Sequence, residues 1–330
     1  MTPRRDALFV VGMHRSGTSA LARLLSLGGA TPPRRLMKPM PDNPLGFWEP
    51  REMAVLNDDL LAAIDSRWDN VFAIADAERA WTVRARFLGR AAALLAEDFG
   101  AADLLAIKDP RASVLTPFWS HALETAGVEL TYVISVRDPL EVAASLARRD
   151  GISTDKAMLL WTSYMVAVER DTRGHRRLFV GYDDLLDDWR AVLGRIEAAL
   201  GRSLPRRSRE ADAAIERYLS ASHRHHRAEP SALFDRPDIW AGVKTTYRWM
   251  RAAAEDHPAP GVAMAGVEAE LRGLERLIGP VLASRTEEQV LTRRLAEMSD
   301  EAVCLRLDAE AEKAKVAILQ RQLKLALPQS

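Results

Sequence analysis

Two stretches of this chain carry residues whose types and spacing suit anion binding. The first is Gly12-Met13-His14-Arg15-Ser16-Gly17-Thr18-Ser19, which follows the apolar run Ala7-Leu8-Phe9-Val10-Val11. Successive backbone N–H groups in a glycine-bounded turn that opens a helix form a concave anion site, reinforced by the positive end of the helix dipole. The triphosphate-binding loop G-x-x-x-x-G-K-[ST] has the same glycine spacing. Gly12 and Gly17 match it and Ser19 takes the hydroxyl position, but Thr18 stands where the lysine belongs, and Arg15 supplies a cation instead. The second stretch is Val133-Ile134-Ser135-Val136-Arg137-Asp138-Pro139, with Ser145 eight residues after Arg137. A guanidinium at the carboxyl end of a strand, with a serine two turns into the next helix, suits a second phosphate held in a bidentate fork.

The elements that must position these residues are legible as alternating runs. Continuous apolar segments mark strands buried on both faces: Ala7–Val11, Leu104–Ile107, Thr131–Val136 and Arg177–Val180. Helical patterns lie between them over Ser19–Leu27, Arg51–Ile64, Val83–Glu97, Val114–Ala126, Leu140–Arg149, Lys156–Thr172 and Leu185–Leu200. This alternation predicts an α/β fold, a P-loop-type parallel sheet flanked by helices, with ligands at the carboxyl ends of the strands. Thr31 to Gly46 holds Pro32, Pro33, Pro39, Pro41 and Pro44 and reads as a long functional loop.

Beyond Gly201 the strand signal stops and the region reads as helical. From Leu291 the apolar positions step by four and three through Leu295, Met298, Ala302, Leu305, Ala309, Val316, Leu319, Leu323 and Ala326. A heptad seam of this kind predicts a coiled coil that joins two copies or a partner helix; a long helix folded back on its own domain is the alternative. The expected division is 1–284 for the α/β domain and its helical part, and 285–330 for the tail.

Composition sets bounds. The 330 residues are 48% hydrophobic and 28% charged, with 46 basic and 46 acidic side chains. That is a globular composition, and a neutral chain has no global field drawing it to nucleic acid. A single cysteine, Cys304, excludes an intrachain disulfide and suits a reducing, cytoplasmic setting. No apolar run approaches the ~20 residues of a membrane span, and the N-terminus does not read as a signal peptide.

These motifs together resemble the sulfotransferases that use 3′-phosphoadenosine 5′-phosphosulfate (PAPS), over roughly Leu8 to Arg227. Arg15-Ser16-Gly17-Thr18-Ser19 matches the family's 5′-phosphosulfate loop. Arg137 and Ser145 match its 3′-phosphate pair, and Tyr182-Asp183-Asp184-Leu185 matches a segment whose tyrosine lies near the adenine. Asn43-Pro44-Leu45-Gly46-Phe47-Trp48-Glu49 and Lys108-Asp109-Pro110-Arg111 are similar to segments of a bacterial branch.

The resemblance implies metal-independent, in-line sulfuryl transfer from PAPS to a hydroxyl, leaving PAP. It assigns charge stabilisation to Arg15 and to Lys108, since tyrosine-sulfating relatives carry a catalytic lysine in a similar Lys-Asp-Pro segment. Glu49-Pro50-Arg51 fits the Glu-x-Arg segment in which some relatives keep their base. The apolar Phe47 and Trp48 would raise its pKa toward the useful range, whereas capping of the following helix is its plainer role. His14 is the rival base. His223-Arg224-His225-His226-Arg227 reads as a basic loop, over the 3′-phosphate through Arg227 or simply solvated, and not as a zinc site. Arg206, Arg207 and Arg209 carry the same two readings. Phe47, Trp48, Trp68 and Trp81 are either sugar-stacking rings or core. The acceptor class is a carbohydrate, lipid or other hydroxyl-bearing small molecule. The competing functions are a P-loop small-molecule kinase, which needs a lysine at Thr18, and a non-enzymatic nucleotide-binding protein acting through its heptad tail.

Overall fold

The structure, a computed structural model, describes residues 4–40, 43–222, 232–257 and 261–281. The chain divides into two compact units, Met1–Gly273 and Leu274–Ser330. In the second unit only 274–281 are described, and they are helical. The heptad seam and the His223–Arg227 loop, Arg227 included, lie outside the described residues.

Four strands form the sheet of the first unit: β1 (Arg5–Val11), β2 (Leu104–Lys108), β3 (Val128–Val136) and β4 (Arg176–Gly181). They run parallel in the order β2-β1-β3-β4. The helices are α1 (Thr18–Leu27), α2 (Arg51–Ala62), α3 (Asp76–Val83), α4 (Leu88–Phe99), α5 (Thr116–Thr125) and α6 (Pro139–Asp150). They continue with α7 (Thr154–Asp171), α8 (Tyr182–Asp187), α9 (Trp189–Leu200), α10 (Arg209–Ser222) and α11 (Ala241–Ala254). The expected α/β architecture, a parallel sheet between helical layers with helices after its last strand, is therefore present.

The apolar strands are continuous because the sheet is buried on both faces. Ala7, Phe9 and Val11 enter one core with residues of α2 to α7 and α11. Leu8 and Val10, the intervening residues of β1, enter the other with α1, α9 and α10. The register sets the carboxyl ends side by side: Val10 faces Lys108, Val11 faces Ile134, and Val136 faces Gly181. The loop after β1, Lys108, Arg137 and Tyr182 thereby share one edge of the sheet.

One predicted helix is divided, and two begin later than the sequence pattern. The pattern over Leu185–Leu200 breaks at Asp188, whose extended backbone and side chain cap α9 through the Ala191 N–H at 3.0 Å. The Val114–Ala126 pattern is realised as α5, which starts at Thr116 with a proline in its first turn and follows a 3₁₀ turn, Pro110–Val114. The Val83–Glu97 pattern is interrupted by a 3₁₀ turn, Arg84–Arg86, where Thr82 Oγ1 and Arg84 each bond a carbonyl three residues back. The proline-rich segment forms only isolated bridges among its described residues, including Thr31 to Leu105 and Leu36 to Pro50.

Candidate active site

The loop from Gly12 to Gly17 is held in a conformation that few sequences tolerate. Gly12, Arg15 and Gly17 have φ of 140°, 67° and 88°, outside the range most side chains allow. Ser113 Oγ accepts from the Gly12 N–H at 2.9 Å and donates to its carbonyl at 3.0 Å, fixing the loop to the turn after β2. Ser135 Oγ donates to the Ser16 carbonyl at 2.6 Å, fixing it to β3. No side chain caps α1, so its opening N–H groups face the loop's interior without a side-chain acceptor. Ser16 Oγ is fully buried in this cradle and has no hydrogen-bond partner. A Cβ at Gly17 would collide with the ring of Tyr182, which covers the loop from β4's side.

The two anion-binding stretches meet here. Arg15 Nε donates to Ser145 Oγ at 2.8 Å, and an Arg137 N–H donates to the Arg15 carbonyl at 3.0 Å. Arg137 is oriented by Glu141, which accepts its Nε–H at 2.8 Å, and its guanidinium lies 4.5 Å from the Tyr182 ring centroid. α6, which carries Ser145, is fixed at its start by Asp138 accepting from the Leu140 N–H at 2.7 Å. Burial pushes the Tyr182 hydroxyl's pKa up, so its ring keeps a neutral hydroxyl beside Arg137.

On the opposite flank, Lys108 and Glu49 form a buried ion pair at 2.5 Å, with side chains 3% and 6% exposed. Lys108 Nζ also donates to the Phe47 carbonyl at 3.1 Å and to Ser19 Oγ at 3.3 Å. A cation thus stands beside the first turn of α1 although Thr18 replaces the loop lysine. Backbone bonds on either side of Glu49 hold its segment: Met37 N–H to the Glu49 carbonyl at 2.9 Å and Arg51 N–H to the Arg35 carbonyl at 2.8 Å. Trp48 reaches this position with φ of 59°, its ring under the Arg23 guanidinium at 4.3 Å. Such strain in a non-glycine residue persists only where surrounding contacts enforce it. Burial raises the Glu49 pKa above the ordinary carboxylate value, against the pull of Lys108 and Arg111.

His14 lies against an aromatic wall, 4.7 Å from the Trp68 ring and 6.1 Å from Tyr164. Its Nε2 is buried without a partner. Burial first, then the surrounding Arg111, Arg149, Lys108 and Arg15, holds its pKa well below the usual histidine value, so the imidazole is neutral.

The sequence singles out Arg111 only as the last residue of Lys108-Asp109-Pro110-Arg111. In the structure it is the second cation on Glu49, 3.5 Å from Oε2, and it is fixed by Asp109 at 3.2 Å and Asp58 at 2.7 Å. Its lysine-aspartate-proline context was the available signal. Trp81 contacts His121 and Arg84 on α3's outer side. Arg207 pairs with Glu197, Arg202 with Asp6 and Asp103, and Arg209 opens α10. Among the described residues no cluster of three metal-ligating side chains occurs, and no helix is long and apolar enough to cross a membrane.

A family model described as "Sulfotransferase family" matches residues 7–206. No curated protein matches the chain. Among solved structures, it is similar to the sulfotransferase domain of the Synechococcus PCC 7002 olefin synthase, at 19% identity and a TM-score of 0.40, covering 82% of this chain and 98% of that one. It is also similar to a sulfotransferase domain from the curacin biosynthetic pathway, at 15% identity and a TM-score of 0.39, covering 81% and 98%. A sulfotransferase from Mycobacterium tuberculosis H37Rv aligns at 16% identity and a TM-score of 0.39, covering 74% and 77%.

Proposed function

The chain belongs to the sulfotransferase family, and from that premise we propose that it transfers a sulfuryl group from PAPS to a hydroxyl of a glycan, lipid or natural product. The observation that carries this reading is the junction of Arg15, Ser145 and Arg137, joined at 2.8 and 3.0 Å although they lie on different βα turns. A 3′,5′-bisphosphorylated adenosine has two anionic ends, and this junction presents two guanidiniums and a hydroxyl to them.

The unpartnered Ser16 Oγ supports the fit of the donor, because a buried hydroxyl left without a hydrogen bond is costly, and an anion bound in the loop that opens α1 would satisfy it. In this reading Arg15, Ser16, Gly17, Thr18 and Ser19 bind the 5′-phosphosulfate, Arg137 and Ser145 the 3′-phosphate, and Tyr182 lies against the adenine. The same reading assigns Arg227, from the basic His223–Arg227 segment, to the 3′-phosphate. PAPS, when bound, supplies a sulfuryl group already joined to a good leaving phosphate.

The side chains then divide the work. Glu49 takes the acceptor's hydroxyl proton as the new O–S bond forms, with neutral His14 as the alternative base. Lys108 and Arg15 meet the charge that develops as the old S–O bond breaks and its electron pair moves to the phosphate oxygen. None of these steps uses a metal. The reading assigns 1–284 to catalysis and 285–330 to association with a second copy or a partner helix. It sets the reaction in the cytoplasm, where Cys304 stays a thiol.

The test is PAP release from PAPS over a panel of glycan, lipid, phenol and peptide acceptors. Acceptor-dependent release by the wild type, lost in Glu49→Gln with PAP affinity kept, is the expected result. Wild-type rates in Glu49→Gln would remove Glu49 as the base.

A further inference from the structure

Lys108 and Glu49 have separate tasks in sulfuryl transfer, yet here they are engaged with each other. An ammonium has three N–H bonds, and those of Lys108 have three acceptors: Glu49 Oε1 at 2.5 Å, the Phe47 carbonyl at 3.1 Å and Ser19 Oγ at 3.3 Å. A cation so occupied has no donor left for a sulfuryl oxygen. The carboxylate so paired is a weaker base than its burial alone would make it, because an adjacent positive charge favours its ionised form.

Two features show where each partner can go. Lys108 Nζ already borders Ser19 in the first turn of α1, so a sulfonate carried on a phosphate at the opening amides of that helix reaches toward the ammonium and competes with Glu49 for it, whereas the phosphate alone stays at the amides. Glu49 has a second cation on its other oxygen, Arg111 at 3.5 Å from Oε2. Arg111 cannot follow Lys108. Asp109 accepts from its N–H at 3.2 Å with both oxygens, and Asp58 pairs with it at 2.7 Å.

Resting on the sulfotransfer reading, we propose that the sulfonate of the donor is the trigger that makes the base: Lys108 exchanges Glu49 for the sulfonate, while Arg111 retains Oε2 and leaves Oε1 facing the acceptor hydroxyl. Donor binding must then precede productive acceptor binding. Arg111 is a positioning residue, acting through Glu49.

The exchange has a proton signature. The groups facing Glu49 are Lys108 from β2 and Asp109 and Arg111 from the turn after it, with Asp58 of α2 acting through Arg111. His14, in the loop after β1, shares Lys108 and Arg111 as neighbours. Only Lys108 and Arg111 favour the ionised carboxylate; burial and Asp109 oppose it. When Lys108 turns to the sulfonate, one of the two supporting cations is lost, and the carboxyl gains affinity for a proton. Binding of PAPS therefore takes up a fraction of a proton at Glu49, the remainder staying the more basic carboxylate that serves the acceptor, and binding of PAP, which lacks the sulfonate, takes up none there.

The experiment is calorimetric titration of the full chain with PAPS and with PAP, without acceptor, in buffers of different ionisation enthalpy at one near-neutral pH. Wild type and Glu49→Gln are compared. The expected result is a proton uptake with PAPS that falls in Glu49→Gln, and a proton count with PAP that the substitution leaves unchanged. Arg111→Met should enlarge the uptake with PAPS, and Arg111→Lys should restore it, whereas a merely structural arginine would move neither. An unchanged PAPS count in Glu49→Gln overturns the trigger, and so does an equal change for both nucleotides. Arg111→Met without effect on uptake overturns the role of Arg111. Failure of PAP itself to bind is a different outcome: it overturns the sulfotransfer reading beneath the proposal.

Discussion

Arg15 and Ser145, 130 residues apart in the chain, are joined by a hydrogen bond of 2.8 Å. The bond ties the loop after β1 to α6, and Arg137 closes the same junction by donating to the Arg15 carbonyl. Removing a charged group from a hydrogen-bonded phosphate contact costs about 1.5–3 kcal/mol. Arg137→Ala is therefore expected to weaken PAP binding by roughly ten- to a hundredfold, and Ser145→Ala by less, because a neutral hydroxyl contributes only about 1 kcal/mol. Calorimetric Kd values for the two variants check the order.

Gly17 is irreplaceable for two separable reasons, its φ of 88° and the Tyr182 ring against its missing Cβ. Gly17→Ala should lower unfolding stability by about 1–3 kcal/mol from backbone strain alone, with the collision added. In the Tyr182→Ala background the collision vanishes and the strain stays. The stability loss on Gly17→Ala, measured by denaturant unfolding, should be smaller there but not zero.

The Lys108–Glu49 pair should behave as buried ion pairs do. Glu49→Leu leaves an ammonium 3% exposed with only neutral acceptors, an arrangement that costs about 3–5 kcal/mol. Lys108→Met together with Glu49→Leu should recover a large part of that loss, because no unpaired lysine remains. A double variant less stable than Glu49→Leu alone would show that the pair itself stabilises the fold.

His14 gives the stability a pH slope of known sign. Its folded pKa lies well below the ordinary 6.5, burial being the first cause. The unfolded chain thus binds the proton more readily, and stability is lost as pH falls through 6.5 toward the folded value. Glu49 contributes the opposite slope, losing stability as pH rises above its ordinary 4.5. Wild type minus His14→Phe isolates the histidine: the difference should shift on acidification by up to about 1.4 kcal/mol per pH unit. Chemical unfolding at stepped pH measures it.

The sheet was legible because each strand is a continuous apolar run, and double-sided burial leaves that run no alternative period. The loop was legible because Gly12 and Gly17 bracket a turn that few sequences can make. The neighbours of Glu49 were not legible. They depend on the course of residues 31–50, where bonds such as Met37 N–H to the Glu49 carbonyl do the positioning and no hydrophobic period exists to read. Arg111 became a partner of Glu49 through that same routing, whereas the contact of Trp68 with His14 joins two loops far apart in the chain. The break at Asp188 carries a readable signal, since an aspartate favours the cap of a helix over its interior and here accepts from the Ala191 N–H.

The most direct test of a two-ended grip on one bisphosphorylated adenosine is a titration of the wild-type chain with PAP in the presence of a metal chelator, beside ATP with Mg²⁺. Saturable binding of PAP without any divalent cation, and tighter than that of Mg²⁺-ATP, is the predicted result. Binding of Mg²⁺-ATP with no measurable binding of PAP would contradict the account.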